Sequence, residues 1–153
     1  MRIKLETEGI IQLSNKLNKG LEKSAVTKGI QRVVLFMESE ARRNITDVIY
    51  NRPVGWRRTG KARQSIVGKM VDDTSGKVFV GVNYAKHLEY GTKPHIIRAK
   101  RAKVLAGNGK VFGRVVNHPG TKAYPFWRPA IKATKTEAPK IMQKIITKEL
   151  NKK

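Results

Sequence analysis

Few residues in this sequence have side chains suited to chemistry, and four of them fall in or near one short stretch. His87 and Glu89 stand two positions apart, His95 follows Pro94, and His118 lies further along the chain. Imidazole and carboxylate groups bind metals and transfer protons. At this spacing the first two share a face on a strand but diverge on a helix, and no H-E-x-x-H zinc motif is present. The pattern therefore favours histidines that stand at corners and strand ends, or that contact phosphate, over a metal centre.

Other catalytic residue types show no better pattern. The chain contains no cysteine, which excludes a thiol nucleophile, a disulfide framework and a cysteine-based zinc site. Asp72 and Asp73 fall in or beside a predicted turn, while Glu38 and Glu40 diverge on a predicted helix. Neither a G-x-x-x-x-G-K-[ST] phosphate loop nor a G-x-S-x-G nucleophile turn occurs. We predict a protein with no enzymatic activity, no metal and no cofactor.

Positive charge is the dominant property of the sequence. Thirty-three Lys and Arg residues face eleven Asp and Glu residues, for a formal net charge of +22. A charge of this size repels itself and calls for an acidic partner: nucleic acid, an acidic protein surface or an anionic membrane. No apolar run approaches the roughly 20 residues that span a bilayer, and the N-terminus lacks the apolar core of a signal peptide. We expect a cytoplasmic protein that makes no use of a membrane.

The charge is concentrated in two tracts without acids, residues 48–71 and the stretch between Glu89 and Glu137. Solvated side chains that only confer solubility are the alternative interpretation. The candidates for binding DNA or a protein partner in the second tract are Lys93, Arg98, Lys100, Arg101, Lys103, Lys110 and Arg114. Those in the first are Arg52, Arg57, Arg58, Lys61 and Arg63, beside Trp56, which either stacks on a base or plugs the core.

The elements that must position these residues begin with helices. Residues 2–5 alternate as in a short strand, and apolar residues recur at helical spacing over residues 7–19 and 22–46. The Pro- and Gly-containing stretch 50–64 has no apolar periodicity and is predicted to be a loop. A C-terminal helix is predicted over 128–151, with Pro129 in its first turn and a kink or restart near Glu137 caused by Pro139.

Between the helices the apolar period changes to two. Residues 65–72 and 77–83 predict a hairpin, and residues 103–106 and 110–117 predict two more strands around an Asn-Gly turn. Residues 84–91 close the second strand, and residues 92–103 form a long basic loop. We therefore predict a single α+β domain over residues 1–153: two N-terminal helices (mainly helical 1–46), a four-stranded antiparallel sheet (64–117) and a C-terminal helix packed on that sheet.

Three motifs then carry a resemblance. They are T-G-x-x-R-x-S-I (Thr59 to Ile66), V-G-x-x-Y-A-x-x-x-E-Y-G-T (Val80 to Thr92) and H-P-G-T-K-A-x-P-F-W-x-P-A (His118 to Ala130). Set between a helical N-terminal part and a C-terminal helix, they resemble the tail-component family of long-tailed bacteriophages, which are neck or tail-completion proteins. The predicted structural corner or interface residues of the second and third motifs are Tyr84, Glu89, Tyr90, Gly91, Pro119, Gly120, Pro125, Phe126 and Trp127.

The resemblance implies a structural protein of the virion, without enzymatic activity. It implies a ring of identical subunits, a hexamer, that joins the DNA-filled head to the tail after assembly in the host cytoplasm. The implied partners are the head-closure or connector proteins, the tail terminator or tail tube, and genomic DNA in the lumen. Six copies would multiply the formal charge of +22 sixfold. We therefore expect a monomer in isolation that forms its ring only on a partner.

Two alternatives stay open. The first is a free-standing, sequence-independent nucleic-acid-binding protein, which the charge favours but which lacks the aromatic platform of an RNA-recognition sheet. The second, weaker alternative is a small phage nuclease or maturation factor. If the protein is a neck subunit, its basic loop contacts either DNA phosphates or the carboxylates of a neighbouring ring. The protein partner is slightly favoured.

Overall fold

The computed structural model describes residues 2–5, 23–50, 59–100, 103–107 and 109–151. The helices are α1 (Lys23–Ile45, followed by a π-helical stretch, Thr46–Tyr50), α2 (Lys61–Gln64), α3 (Ala85–Tyr90) and α4 (Trp127–Leu150). The strands are β1 (Arg2–Leu5), β2 (Ile66–Asp72), β3 (Ser75–Val80), β4 (His95–Arg98), β5 (Leu105–Gly107), β6 (Lys110–Gly113) and β7 (Val115–His118). The chain is an α+β protein with a long N-terminal helix, small antiparallel sheets and a C-terminal helix.

Helices α1 and α4 pack against each other in opposite directions. The Asn44 amide near the end of α1 donates a hydrogen bond to the carbonyl of Phe126 just before α4, and Lys28 forms an ion pair with Glu149 at the far end. Gly29 permits the close approach, because a Cβ there would lie 2.5 Å from the Met142 sulfur. The C-terminal helix thus lies along α1, which corrects the prediction that it packs on the sheet.

A three-stranded antiparallel sheet of order β1-β3-β2 covers another side of α1. Residues of β3 alternate between half-buried and buried, as a strand with one face on the core requires. Gly76 of this strand and Gly68 of β2 both lie against Val34 of α1. The predicted strand at 2–5 and the predicted hairpin are confirmed, although the turn is shorter than expected because β3 begins at Ser75.

The predicted four-stranded sheet is wrong. Residues 103–106 and 110–117 do not join the first hairpin; instead β5 pairs with β6, and β4 pairs with β7, as two separate two-stranded ribbons. Gly113, at φ +93°, ends β6 and divides the predicted last strand in two. The second half then pairs with β4, a strand that lies inside the predicted basic loop. The composition of residues 110–117 and the Asn-Gly turn before them indicated strand character but not the strand partner.

Other local predictions are also corrected. Part of the predicted loop at 50–64 is the short helix α2, and residues 84–91 contain helix α3 rather than a simple corner. The predicted long helix at 22–46 is confirmed by α1, and α4 runs through Pro139 without a restart. The predicted helix at 7–19 and the predicted position of Trp56 lie outside the described residues. No helix in the described part of the chain combines the length and apolarity that a membrane span needs.

The outer edge of β2 is partly closed by an ion pair from α1. The Glu38 carboxylate accepts a hydrogen bond of 2.7 Å from the Gly68 N–H, and the Arg42 guanidinium donates one of 2.8 Å to the Ile66 carbonyl. The two side chains also bind each other at 2.8 Å. Because unpaired strand edges attract other strands, this pair protects the first half of the edge from extension of the sheet.

Candidate functional site

The side chain of Glu89, which belongs to helix α3, caps the N-terminus of helix α4. This side chain is 1% exposed and extends from α3 to the first turn of α4. One oxygen accepts hydrogen bonds of 2.8 Å from both the Phe126 and Trp127 N–H groups, and the other accepts one of 3.1 Å from the Arg128 N–H. A helix leaves four N–H groups without internal partners at its start. Glu89 binds three of them, and the fourth position is Pro129, which has no N–H.

The same carboxylate also holds the side chain of Arg128. The Arg128 Nε lies 2.9 Å from a Glu89 oxygen, and an Nη donates to the Glu89 carbonyl at 3.3 Å. Burial on its own raises the pKa of Glu89, but the backbone N–H groups of Trp127, Phe126 and Arg128 and the guanidinium outweigh it. The pKa of Glu89 therefore lies below its ordinary value, and the residue is an anion at neutral pH. The Arg128 guanidinium also covers the Tyr90 ring, 5.1 Å from its centroid.

Directly after α3, two Gly-Thr dipeptides from distant parts of the chain pair with each other. The N–H of Thr92 donates a hydrogen bond of 3.0 Å to the Thr121 carbonyl, and the N–H of Thr121 donates one of 3.1 Å to the Thr92 carbonyl. The hydroxyl oxygens of the two threonines lie 3.1 Å apart. We call this pairing of Gly91-Thr92 with Gly120-Thr121 the GT corner. It closes the base of the segment between the two dipeptides.

Both glycines of the GT corner are required by geometry. Gly91 has φ +71° and Gly120 has φ +86°, values that favour glycine. A Cβ on Gly91 would lie 2.4 Å from the Thr121 carbonyl oxygen, and one on Gly120 would lie 2.2 Å from the Thr92 carbonyl oxygen. The two dipeptides therefore approach closely only because neither glycine has a side chain.

Between the two halves of the GT corner, the described residues of 93–118 form two ribbons, and we call this segment the arm. Its four strands, β4 to β7, contact one another far more than they contact any helix or the three-stranded sheet. No residue of these four strands is buried, whereas every second residue of β3 is. Isolated two-stranded ribbons are marginally stable in water, so the arm would gain stability from a surface that covers it.

The arm combines positive charge with exposed apolar side chains. It contains no acidic residue, and none of its described cations pairs with another described side chain. Of the eleven large hydrophobic side chains exposed in the described residues, six lie on the arm. They are Ile96, Ile97, Val104, Val111, Phe112 and Val115, with Val111 as much as 70% exposed. Apolar side chains grouped in this way indicate an interaction surface.

The three histidines line one open cavity of about 710 Å³ beside the GT corner. His95 and His118 are paired residues of β4 and β7, with ring centroids 5.0 Å apart. His118 Nδ1 accepts a hydrogen bond from the Gly120 N–H, which leaves the proton of the neutral ring on Nε2. Glu89 does not line this cavity, because it shares a helix with His87 and points elsewhere. Among the described residues, no group of three potential ligands is placed to hold a metal ion.

The structure separates the two predicted basic sets. Lys93, Arg98, Lys100, Lys103, Lys110 and Arg114 lie on the arm, while Lys61 and Arg63 lie on α2, and Arg63 lines a cavity with Arg42 of α1. Arg52, Arg57, Arg58 and Arg101 lie outside the described residues. Of the predicted corner residues, Phe126 and Trp127 are buried in the core, and Tyr84 and Tyr90 are exposed.

Sequence reasoning missed several residues of this region. Thr92, Thr121 and Arg128 were not singled out, although they form the GT corner and the salt bridge of Glu89. The repetition of Gly-Thr in two motifs was the available signal for the threonines. The exposed aliphatic residues of the arm gave no such signal, because β-branched residues are equally typical of a half-buried strand.

Comparisons of the chain with protein-family models, with curated proteins and with solved structures gave no match.

Replacing Glu89 by Gln should destabilise the folded protein by roughly 3 kcal/mol, because buried N–H groups and a guanidinium lose their anion. Urea unfolding at neutral pH would measure the change. A folded-state pKa below the ordinary 4.5 means that the charge stabilises fully above about pH 4.5. The difference between wild type and variant should therefore shrink as pH falls towards the folded-state pKa. The matched control is Glu137→Gln, which removes an exposed pair with Lys140 and should cost below about 1 kcal/mol. Equal losses in both variants would contradict the role assigned to Glu89.

Replacing Gly120 by Ala should open the GT corner, because the new Cβ meets a backbone oxygen that cannot move aside alone. The control is Gly113→Ala, at φ +93° with no atom within 4 Å, which incurs the backbone strain of about 1–2 kcal/mol without the clash. The Gly120 variant should lose about 2 kcal/mol more than this control. Hydrogen exchange of the Thr92 and Thr121 amides should quicken in the first variant only. Unchanged exchange in Gly120→Ala would show that the corner does not depend on the close approach.

Proposed function

We propose that this chain is a structural subunit of a bacteriophage neck, which joins the DNA-filled head to the tail. One observation carries the proposal: the residues of the motifs behind the resemblance, Y-G-T and P-G-T with the Pro-Phe-Trp that follows, build one corner. That corner supports an exposed arm without acidic residues. Residues used in this way serve assembly. The subunit acts in the virion at the head–tail junction, after assembly in the host cytoplasm.

The proposed assembly is a hexameric ring with partners on both sides, the head-closure or connector proteins and the tail terminator or tail tube. The protected first half of the β2 edge supports a ring that forms through the arm rather than by extension of the sheet. The net charge of +22 opposes association of free subunits. The ring therefore forms on an acidic partner, with genomic DNA as a further partner in the lumen.

Deleting the gene from its phage or prophage tests the proposal directly. After induction, electron microscopy should show DNA-filled heads and separate, full-length tails, because the joint between them is missing. Supplying the wild-type gene on a plasmid should restore joined particles and serves as the control. Intact virions in normal number after deletion would refute the neck function.

The second candidate function is sequence-independent binding of nucleic acid by the free protein. One observation favours it: α4 carries the exposed residues Lys140, Lys144 and Lys148, which are spaced four residues apart. Lysines at such spacing lie along one side of a helix, where they can follow a phosphate backbone.

Binding of labelled duplex DNA against salt distinguishes the two functions. For the neck subunit, we expect weak binding at physiological salt that disappears as salt rises, since each released counterion makes log K fall with log salt. If the α4 lysines carry the binding, as the second candidate function requires, replacing Lys140 and Lys144 by Gln should flatten this slope by roughly two charges. Tight binding to any duplex at physiological salt would place the second candidate first.

A further inference from the structure

We propose that the outer edge of β4 binds an extended acidic segment of a partner protein as an added β-strand. The inference deepens the proposed function, because it names the chemistry of the partner that the arm receives. It rests on the free edge of β4, on the charge along that edge and on the apolar side chains around it.

The hydrogen-bonding pattern identifies which backbone groups of β4 have no partner among the described residues. The N–H of Ala99 donates to the Arg114 carbonyl at 2.9 Å, so these two residues form a hydrogen-bonded pair. Such pairs alternate along an antiparallel ladder, which makes Ile97 and Val116 the next hydrogen-bonded pair. The N–H and C=O groups of Ile96 and Arg98 therefore point away from β7. They form an edge to which another strand can bind.

Charge selects the β4 edge over the β7 edge of the same ribbon. Arg98 lies on the β4 edge, and Lys93 and Lys100 flank the strand. The outward residues of β7 are Val115 and Asn117, which carry no charge. With flanking residues counted on both sides, a segment that added to β7 would meet Arg114 alone, whereas one that added to β4 would meet three cations.

The two faces of the ribbon define the pattern of the added strand. Ile96 and Arg98 lie on one face, and Ile97 lies on the other with Val116 and the paired histidines. A strand on this edge therefore gains from acidic side chains on the Arg98 face and from apolar side chains on the Ile97 face. The matching partner is an extended segment in which acidic and aliphatic residues alternate.

The apolar side chains favour protein over nucleic acid as the occupant. Phosphates satisfy the cations but leave exposed Ile96, Ile97 and Val115 uncovered. Single-stranded nucleic acid is bound by aromatic side chains on which bases stack, and Phe112 is the only Phe, Tyr or Trp of the arm. A protein strand covers both the charged and the apolar groups.

The probe for this site is a short fluorescein-labelled peptide in which valine and glutamate alternate. A control peptide of the same composition places the valines and glutamates in separate blocks, so that charge is equal but the pattern is lost. Anisotropy at physiological salt should show binding of the alternating peptide and about tenfold weaker binding of the block peptide. Equal binding of the two would overturn the proposal in favour of simple charge attraction.

Two substitutions and one matched control locate the edge. Arg98→Glu reverses the charge, and Ile96→Pro removes an outward N–H while leaving the ladder to β7 intact. Each should weaken binding about tenfold. The control is Asn117→Pro, which removes an outward N–H from the opposite edge and should leave binding unchanged. Protected exchange of the Ile97 amide would show that each variant keeps the ribbon.

Three other outcomes would overturn the proposal. Equal loss in Asn117→Pro and Ile96→Pro would place the site elsewhere. Absence of peptide binding would mean that the cations only guard a free edge against aggregation. Tight duplex DNA binding by the arm, uncompeted by the peptide, would make nucleic acid its partner.

The phage test separates this inference from the proposed function. If deletion separates heads from tails and the Arg98→Glu gene restores virions, the arm inference fails while the neck function stands. If deletion leaves virions intact, the neck function is refuted. The peptide measurements then test by themselves whether the β4 edge binds an acidic strand. If the Arg98→Glu protein folds but does not restore virions, both the neck function and the inference about the arm are supported.

Discussion

The structure around the arm depends on one buried anion. Glu89 is the only acidic residue between Asp73 and Glu137, and its carboxylate is almost fully removed from water. Removing a charge from water is costly unless hydrogen bonds and an opposite charge compensate. Here three backbone N–H groups and the Arg128 guanidinium compensate together. The carboxylate therefore determines where α4 begins relative to α3, and α4 in turn packs along α1.

The position of the arm follows from this anchor. Gly91 comes two residues after Glu89, and Phe126, which donates to the Glu89 carboxylate, comes five residues after Thr121, so both halves of the GT corner are joined by short segments to this anchor. The corner already brings the ends of the arm together. A later binding step therefore does not incur the entropy cost of closing a long loop. The root of the arm is thus rigidly placed by the core, while its strands remain exposed. This combination suits a surface that must meet a partner at a defined position.

The sequence allowed prediction of elements whose partners are adjacent in the chain or whose periodicity is long. Helix α1 shows its apolar repeat over six turns, and the β2–β3 hairpin shows alternation around a short turn. The pairing of β4 with β7 was not predictable in this way, because their residues are about twenty positions apart and β4 has the composition of a basic loop. The glutamate in E-Y-G-T was recognised as part of a corner. Its role as a cap was not, because a carboxylate cap from another element leaves no local pattern.

In the absence of a partner, the charge and the apolar surface of the arm have opposite effects on association between two subunits. The free edges and exposed Ile and Val side chains favour association, whereas the cations of two arms repel each other at contact. At physiological salt this repulsion is screened beyond about 8 Å, so it acts only when surfaces are close. When an acidic strand binds, the electrostatic interaction with the arm becomes attractive, and the apolar side chains are buried in the same step. Two interactions that oppose each other between like subunits would then add for an acidic partner, which is why we propose that the arm is selective.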